Sequence, residues 1–348
     1  MLYTREQLDR HPFGAPLPLA EDLYLVRVPL PNNSLAALNS YFILDDGPRG
    51  EQTTIVDVGF DHPACVEALG AALQALGRGW EGVRVVLTHS HPDHTGALGR
   101  IEPAPREVLA NFDSFDQVKG ILPAYRDFYT PFLNAAATPA QRAELAARLA
   151  KRETAAALPR ELAPQQTSVP IAHLGGGDVL HCGRYRFEVL ATPGHDPWHI
   201  CLHEPHARIM IVGDHVLSRI TPSVQALRAD HDALGDFLRS QGLMCSYDVD
   251  AVLTGHEALY ADLPGRAQDI VAHHEQRLTE LTGLVEAGHD DLVALSSHAK
   301  WRYDDWMGWD LGRKLSSMGE TMAHVIYLER IGVLRMEGEG SRLRFRLV

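Results

Sequence analysis

Apolar residues in the first hundred positions come in short runs cut by turn formers rather than in long helical stripes. Residues 23–30, 40–44 and 53–58 each read as a strand, the second closed by Asp45-Asp46-Gly47 and the third by Gly59. Residues 63–76 repeat apolar positions at helical spacing, with Asp61 as N-cap and Gly77 as stop. Residues 83–87 then resume as a buried strand. From Phe112 to Pro170 the texture turns alanine-rich and helical, with a helix over residues 139–158 and an aromatic cluster at Tyr125, Phe128, Tyr129 and Phe132. This reads as a helical lid inserted into the fold. Strand signals return over residues 179–180, 185–190, 199–203, 208–212 and 251–253. Helical spacing follows over residues 266–286, 291–298 and 313–330, and a hairpin turning at Glu337-Gly338-Glu339-Gly340 ends the chain. Three helices and a hairpin predict a winged-helix-like domain over residues 263–348, after a catalytic domain over residues 1–262 that carries the lid at 112–170.

Candidate chemistry concentrates directly after the strand at 83–87. The run Thr88-His89-Ser90-His91-Pro92-Asp93-His94 places His89, His91, Asp93 and His94 within six positions. Packing needs no such density. In an extended loop the period of 2 sends His89 and His91 the same way, while Asp93 and His94 begin the next helix and can serve a second position. Imidazole nitrogen and carboxylate oxygen suit zinc, and two such sets side by side imply two ions. His195 in Thr192-Pro193-Gly194-His195, Asp214 in Gly213-Asp214 and His256 in Gly255-His256 each follow an apolar run beside glycine, and Asp57 stands as support at the end of a strand.

In these motifs the sequence resembles the metallo-beta-lactamase fold superfamily over residues 20–262. The resemblance implies an α/β (α+β) fold, a four-layer αβ/βα sandwich. It also implies one metal on His89, His91 and His195, a second on Asp93, His94 and His256, and Asp214 between them. Asn32-Asn33, Asn39-Ser40-Tyr41, the motif ending at His195 and the C-terminal appendage most resemble the glyoxalase II-like branch. Trp198 departs from that branch, where glycine is usual, and no cysteine near Asp214 matches the commonest zinc beta-lactamases.

The implied cofactors are two divalent ions, zinc first, with iron or manganese as alternatives. A metal-bridging hydroxide is then the nucleophile, Asp93 and Asp214 act as catalytic carboxylates, and Asp57 holds a ligand imidazole by its other nitrogen. The expected reaction is hydrolysis of a small acyl thioester, ester or lactone. The alternatives are a metal-dependent phosphodiesterase or ribonuclease and an iron-dependent persulfide dioxygenase.

Composition narrows the partners. The 348 residues are 45% apolar, enough for a sizeable core, and 32 Lys+Arg against 45 Asp+Glu leave a net charge of −13. That balance opposes capture of nucleic acid or an anionic membrane. The four cysteines form no C-x-x-C pair, and no apolar stretch is long enough to span a bilayer, so a cytoplasmic setting without membrane contact is expected. Aromatic residues in the C-terminal region raise a homodimer. His199 and His215 flank the candidate ligands and read as ordinary buried histidines.

Overall fold

The computed structural model describes residues 2–47, 52–150 and 170–348. A short helix α1 (Arg5–Arg10) precedes the strands β1 (Pro16–Ala20), β2 (Leu23–Pro29), β3 (Ala37–Asp45) and β4 (Gln52–Val56). Helix α2 (Pro63–Ala75) leads to β5 (Val83–Val86), the one-turn helix α3 (Pro92–Thr95) and β6 (Glu107–Ala110). Helices α4 (Phe115–Gly120), α5 (Leu122–Ala136) and α6 (Pro139–Ala150) follow, then β7 (Ile171–His173), β8 (Val179–Cys182), β9 (Tyr185–Ala191), β10 (Ile200–Glu204) and β11 (Ile209–Gly213). The chain continues through α7 (Ala233–Met244), β12 (Ala251–Thr254), α8 (Leu263–Glu286), α9 (Leu292–His298), α10 (Leu311–Arg330), β13 (Leu334–Glu337) and β14 (Arg344–Leu347).

The chain divides into two compact units. The first comprises Met1–Val118, Pro164–Pro222 and Ser240–Gln268, the second Lys119–Ala163, Ser223–Arg239 and Asp269–Val348. This division differs from the single boundary expected after residue 262. Residues of the α5 and α6 segment group with the C-terminal helices because Tyr129 donates to Ala226 O (2.8 Å), Tyr125 to Gln225 (3.2 Å) and Lys314 Nζ to Ala136 O (2.9 Å). These ties bridge long sequence separations, which periodicity cannot register. The part of the expected helix beyond Ala150 lies outside the described residues.

The first unit holds a seven-stranded sheet in the order β1 to β7 and a five-stranded sheet in the order β12-β11-β10-β9-β8. Alternation sorts each strand's side chains between two cores. Leu23, Leu25, Tyr41, Ile43, Val56 and Val86 meet Phe187, Val189, Ile200, Leu202, Ile211 and Leu253 of the other sheet. Val26, Val28, Phe42, Ile55 and Val85 face the opposite way, onto Cys65, Leu69, Ala72 and Leu73 of α2. Both faces of β3 and β4 are therefore covered, and every residue of the two strands except Asp45 is buried, the polar Asn39, Ser40, Gln52, Thr53 and Thr54 included. Strands β4, β5 and β6 are mutually parallel, so the loops after β4 and β5 leave the same edge. Helix α2 is capped by His62, whose Nδ1 accepts from Ala64 N (3.1 Å), rather than by Asp61, which pairs with Arg100. No helix among the described residues is long and apolar enough to cross a membrane, and all four cysteines are free.

The second unit carries α9, α10 and the antiparallel pair β13 and β14. Its interior holds two imidazoles. His324 Nδ1 donates to Glu320 O (2.8 Å), which leaves its Nε2 to accept from His274 Nδ1 (3.0 Å). Burial, reinforced by neighbouring cationic groups, lowers His274 to about 2 and His324 to about 4. Both are neutral in the folded protein but protonate near pH 6.5 when unfolded. The unfolded state thus binds more protons below that pH, so their contribution is whole above pH 6.5 and is lost as pH falls, toward 4 for His324 and on toward 2 for His274. We expect denaturation to show a loss of about 4 kcal/mol between pH 6.5 and 4.5 that His274→Gln/His324→Gln lacks. Parallel stability curves for the two proteins would refute this.

Candidate metal centre

Asp57 directly follows β4 at φ 63°, a left-handed conformation a non-glycine residue rarely adopts. Its Oδ1 accepts from Thr88 N (2.8 Å) and its Oδ2 from both Thr88 Oγ1 (2.8 Å) and His94 Nδ1 (2.8 Å). Thr88 Oγ1, donating to Asp57, accepts in turn from His89 Nδ1 at 3.0 Å. His256 Nδ1 donates to Ala37 O (2.8 Å) at the start of β3. For all three imidazoles the Nδ1 proton is thereby committed and the Nε2 lone pair is left over.

Those lone pairs converge. The Nε2 atoms of His94 and His256 are 3.2 Å apart. His256 Nε2 is 3.4 Å from Asp93 Oδ2 and 3.5 Å from Asp214 Oδ2, while His94 Nε2 is 3.5 Å from Asp214 Oδ1 and His195 Nε2 is 3.9 Å from Asp214 Oδ2. Potential ligand atoms fall into three overlapping groups, each within 4.8 Å: His89, His91, His195; His89, His94, Asp214; and Asp93, His94, His256. All seven sequence-predicted residues thus gather in one place within the first unit, with Asp57 against one of them. His89 Nε2 and Asp214 Oδ1 are buried without a hydrogen-bond partner. Two imidazole lone pairs facing each other beside two carboxylates call for a cation, so the donors fit divalent metal.

Electrostatics agree. Burial acts to raise Asp214, but His256 and His94 outweigh it and hold the carboxyl far below its ordinary range. Asp93 is likewise held at about 2 by His256 and His94 against the effect of burial. Burial also opposes the charged forms of His94 and His256, yet Asp57 and Asp214 raise the first well above the ordinary value, and Asp214 and Asp93 raise the second. His89, buried among other imidazoles, is pushed well down. The carboxylates stay charged and attract positive charge between them.

Glycine allows the close approach. A Cβ on Gly213 (φ 48°) would lie 2.7 Å from Thr88 Oγ1 and 2.8 Å from His199 Nε2. Further residues support the site in ways their sequence context does not disclose, Asn39 of the Asn39-Ser40-Tyr41 motif among them. Asn39 donates from its side chain to Thr254 O (3.1 Å) and Glu257 O (3.0 Å) and from its backbone to Gly255 O (2.7 Å), fixing the loop of His256. His199 is buried as expected, but it also positions Asp214, whose N–H it accepts at 3.2 Å while its Nδ1 bonds Thr192 Oγ1 at 2.8 Å. Asp196 lies 2% exposed against Ser90. These partners come from distant segments, and single residue types at such separations leave no spacing to read.

Two sheets with this donor cluster define a fold with a candidate metal centre, and comparison makes the family specific. The family model described as the Metallo-beta-lactamase superfamily matches residues 36–256, and the chain belongs to that superfamily. A metallo-beta-lactamase family protein of Thermus thermophilus is 26% identical, with a TM-score of 0.69 over 95% of this chain and 100% of that one. A beta-lactamase domain protein of Burkholderia ambifaria shares the fold at 22% identity, with a TM-score of 0.79 over 98% of this chain and 97% of its own. The probable metallo-hydrolase YflN of Bacillus subtilis (strain 168) is 27% identical over 188 residues, 52% of this chain. A protein of Aquifex aeolicus (strain VF5) is 26% identical over 178 residues, 51% of this chain. These two matches span 61% and 65% of the relatives' own lengths, less than two thirds.

Proposed function

We propose that this chain is a dinuclear metal-dependent hydrolase that cleaves a small acyl thioester, ester or lactone. The observation that carries the proposal is the overlap of the three donor groups through His89 and His94, a cluster able to hold two ions rather than one. His89, His91 and His195 would hold one ion and Asp93, His94 and His256 the other, with Asp214 shared; zinc suits these donors. Bound ions of this kind supply Lewis acidity, lowering the pKa of water and stabilising an oxyanion. The chain's own residues do the rest. Asp57 and the Thr88 hydroxyl keep the His94 and His89 rings turned with Nε2 inward. Asp214 Oδ1, buried and without a hydrogen-bond partner, offers an acceptor that orients the attacking water. Ser90 Oγ is committed to Asp196, so no serine attack is invoked.

The acyl preference rests on resemblance to the glyoxalase II-like branch and on the net charge of −13, which opposes an RNA substrate. On the same resemblance, α8, α9, α10 and the β13/β14 hairpin form a winged-helix-like appendage. Full-length protein loaded with two equivalents of zinc is expected to hydrolyse members of an acyl thioester and lactone panel with kcat/KM above about 10⁴ M⁻¹s⁻¹ and to lose this on chelation. Turnover of a phosphodiester or single-stranded RNA, with every thioester and lactone untouched, would overturn the acyl assignment.

A further inference from the structure

Building on the two-metal reading, we infer that Asp196 is a positioning residue that sets the spacing of His89, His91 and His195 by fastening their two loops together. Ser90 sits between His89 and His91, and Asp196 directly follows His195. Across 106 positions of sequence, Asp196 Oδ2 accepts from both Ser90 Oγ and Ser90 N, the latter at 3.3 Å. Its Oδ1 accepts from Trp198 N (2.7 Å), and its backbone oxygen accepts from Gly194 N (3.2 Å) and His199 N (3.3 Å). One buried residue therefore folds the 194–199 loop around itself and ties that loop to the residue separating two candidate ligands. A carboxylate suits this role because it accepts on both oxygens at once, and charge-assisted bonds to it are shorter and stronger than neutral ones.

Asp93, His94 and His256 are held differently. His94 is oriented by Asp57 and His256 by Ala37 O, and neither bond involves Asp196. Loss of Asp196 should thus loosen one ligand set and spare the other. Supports of this kind typically change metal affinity 10- to 100-fold.

The test is stepwise cobalt(II) titration of the full chain, read by visible absorption and by competition with a chelator. His195→Ala and His256→Ala assign the two binding steps. Asp196→Ala is expected to weaken the step lost in His195→Ala by about 10- to 100-fold and to leave the other step and its spectrum unmoved. Ser90→Ala should reproduce the selective loss, Ser90→Thr should restore it, and Asp196→Ala/Ser90→Ala should fall short of the summed effects because both remove the same bond. If Asp196→Ala does not fold, the two Ser90 variants decide the matter. Equal weakening of both steps, or of neither, overturns the inference. Absence of cobalt binding by the unmodified protein would instead overturn the two-metal reading beneath it.

Discussion

Asp214→Ala is expected to lower kcat/KM for the preferred substrate by about 10³-fold or more, about 4 kcal/mol of transition-state stabilisation, in a protein that still folds. Asp214 lies within 4 Å of three candidate ligand imidazoles, those of His94, His195 and His256, which no other carboxylate does among the described residues. Its removal takes negative charge from the middle of the donor cluster, and with it the acceptor proposed to orient water. The fold should survive, because Asp214 is anchored through its backbone N–H on His199 Nε2, a bond that alanine keeps. Asp214→Asn separates the two contributions: it preserves shape and one acceptor oxygen but removes the charge, so a loss close to that of alanine identifies charge as the larger part. Metal content per chain and kcat/KM at saturating zinc are the measurements. A variant within about tenfold of the unmodified enzyme in both would exclude Asp214 from the centre.

What the sequence disclosed follows from locality. The strand, helix, strand order of β4, α2 and β5 was legible because α2 and β5 bury apolar positions at the spacing of their element and the chain after β4 and after α2 turns at Gly59 and Gly77, both left-handed in the structure. Thr88 to His94 was legible because four donor side chains share one loop. His195, Asp214 and His256 stood out only beside that loop, each after an apolar run and next to glycine. Five described strands and helices left no readable pattern for physical reasons, the first being α1, six residues long with Leu8 as its one buried side chain. Strand β1 contains two prolines and lies at the sheet's edge, β6 and β7 are only four and three residues long, and α7 follows a stretch dense in aspartate. Asp196 and Asn39 were illegible as supports because a lone polar residue acquires that role only when folding delivers its partner.

Gly255→Ala carries the second large effect, and it separates geometry from chemistry because it alters no donor atom. A Cβ at Gly255 would lie 2.6 Å from Asp214 Oδ1, 2.8 Å from His94 Cε1 and 3.1 Å from Gly213 O. The first two distances are too short to be absorbed in place. The His94 ring cannot swing freely because Asp57 holds its Nδ1, and the Gly255 backbone is pinned by its N–H on Gly213 O (2.7 Å) and by Asn39 N on its carbonyl (2.7 Å). Asp214 and His94 must therefore shift while the surrounding strands stay. Overpacking of this kind costs about 1–3 kcal/mol of stability, and a misplacement near 1 Å at a reacting centre costs about 100-fold in rate. We expect Gly255→Ala to lose about 100-fold in kcat/KM and to bind metal more weakly, with cooperative unfolding retained. Gly242→Ala is the control: a Cβ there meets nothing within 4 Å and the residue lies inside α7, so stability should rise by about 0.5–1 kcal/mol with activity unchanged. Wild-type activity in Gly255→Ala would mean that the carboxylate and the ring have room the structure does not show, and the close convergence of Asp214 and His94 on one ion would have to be abandoned.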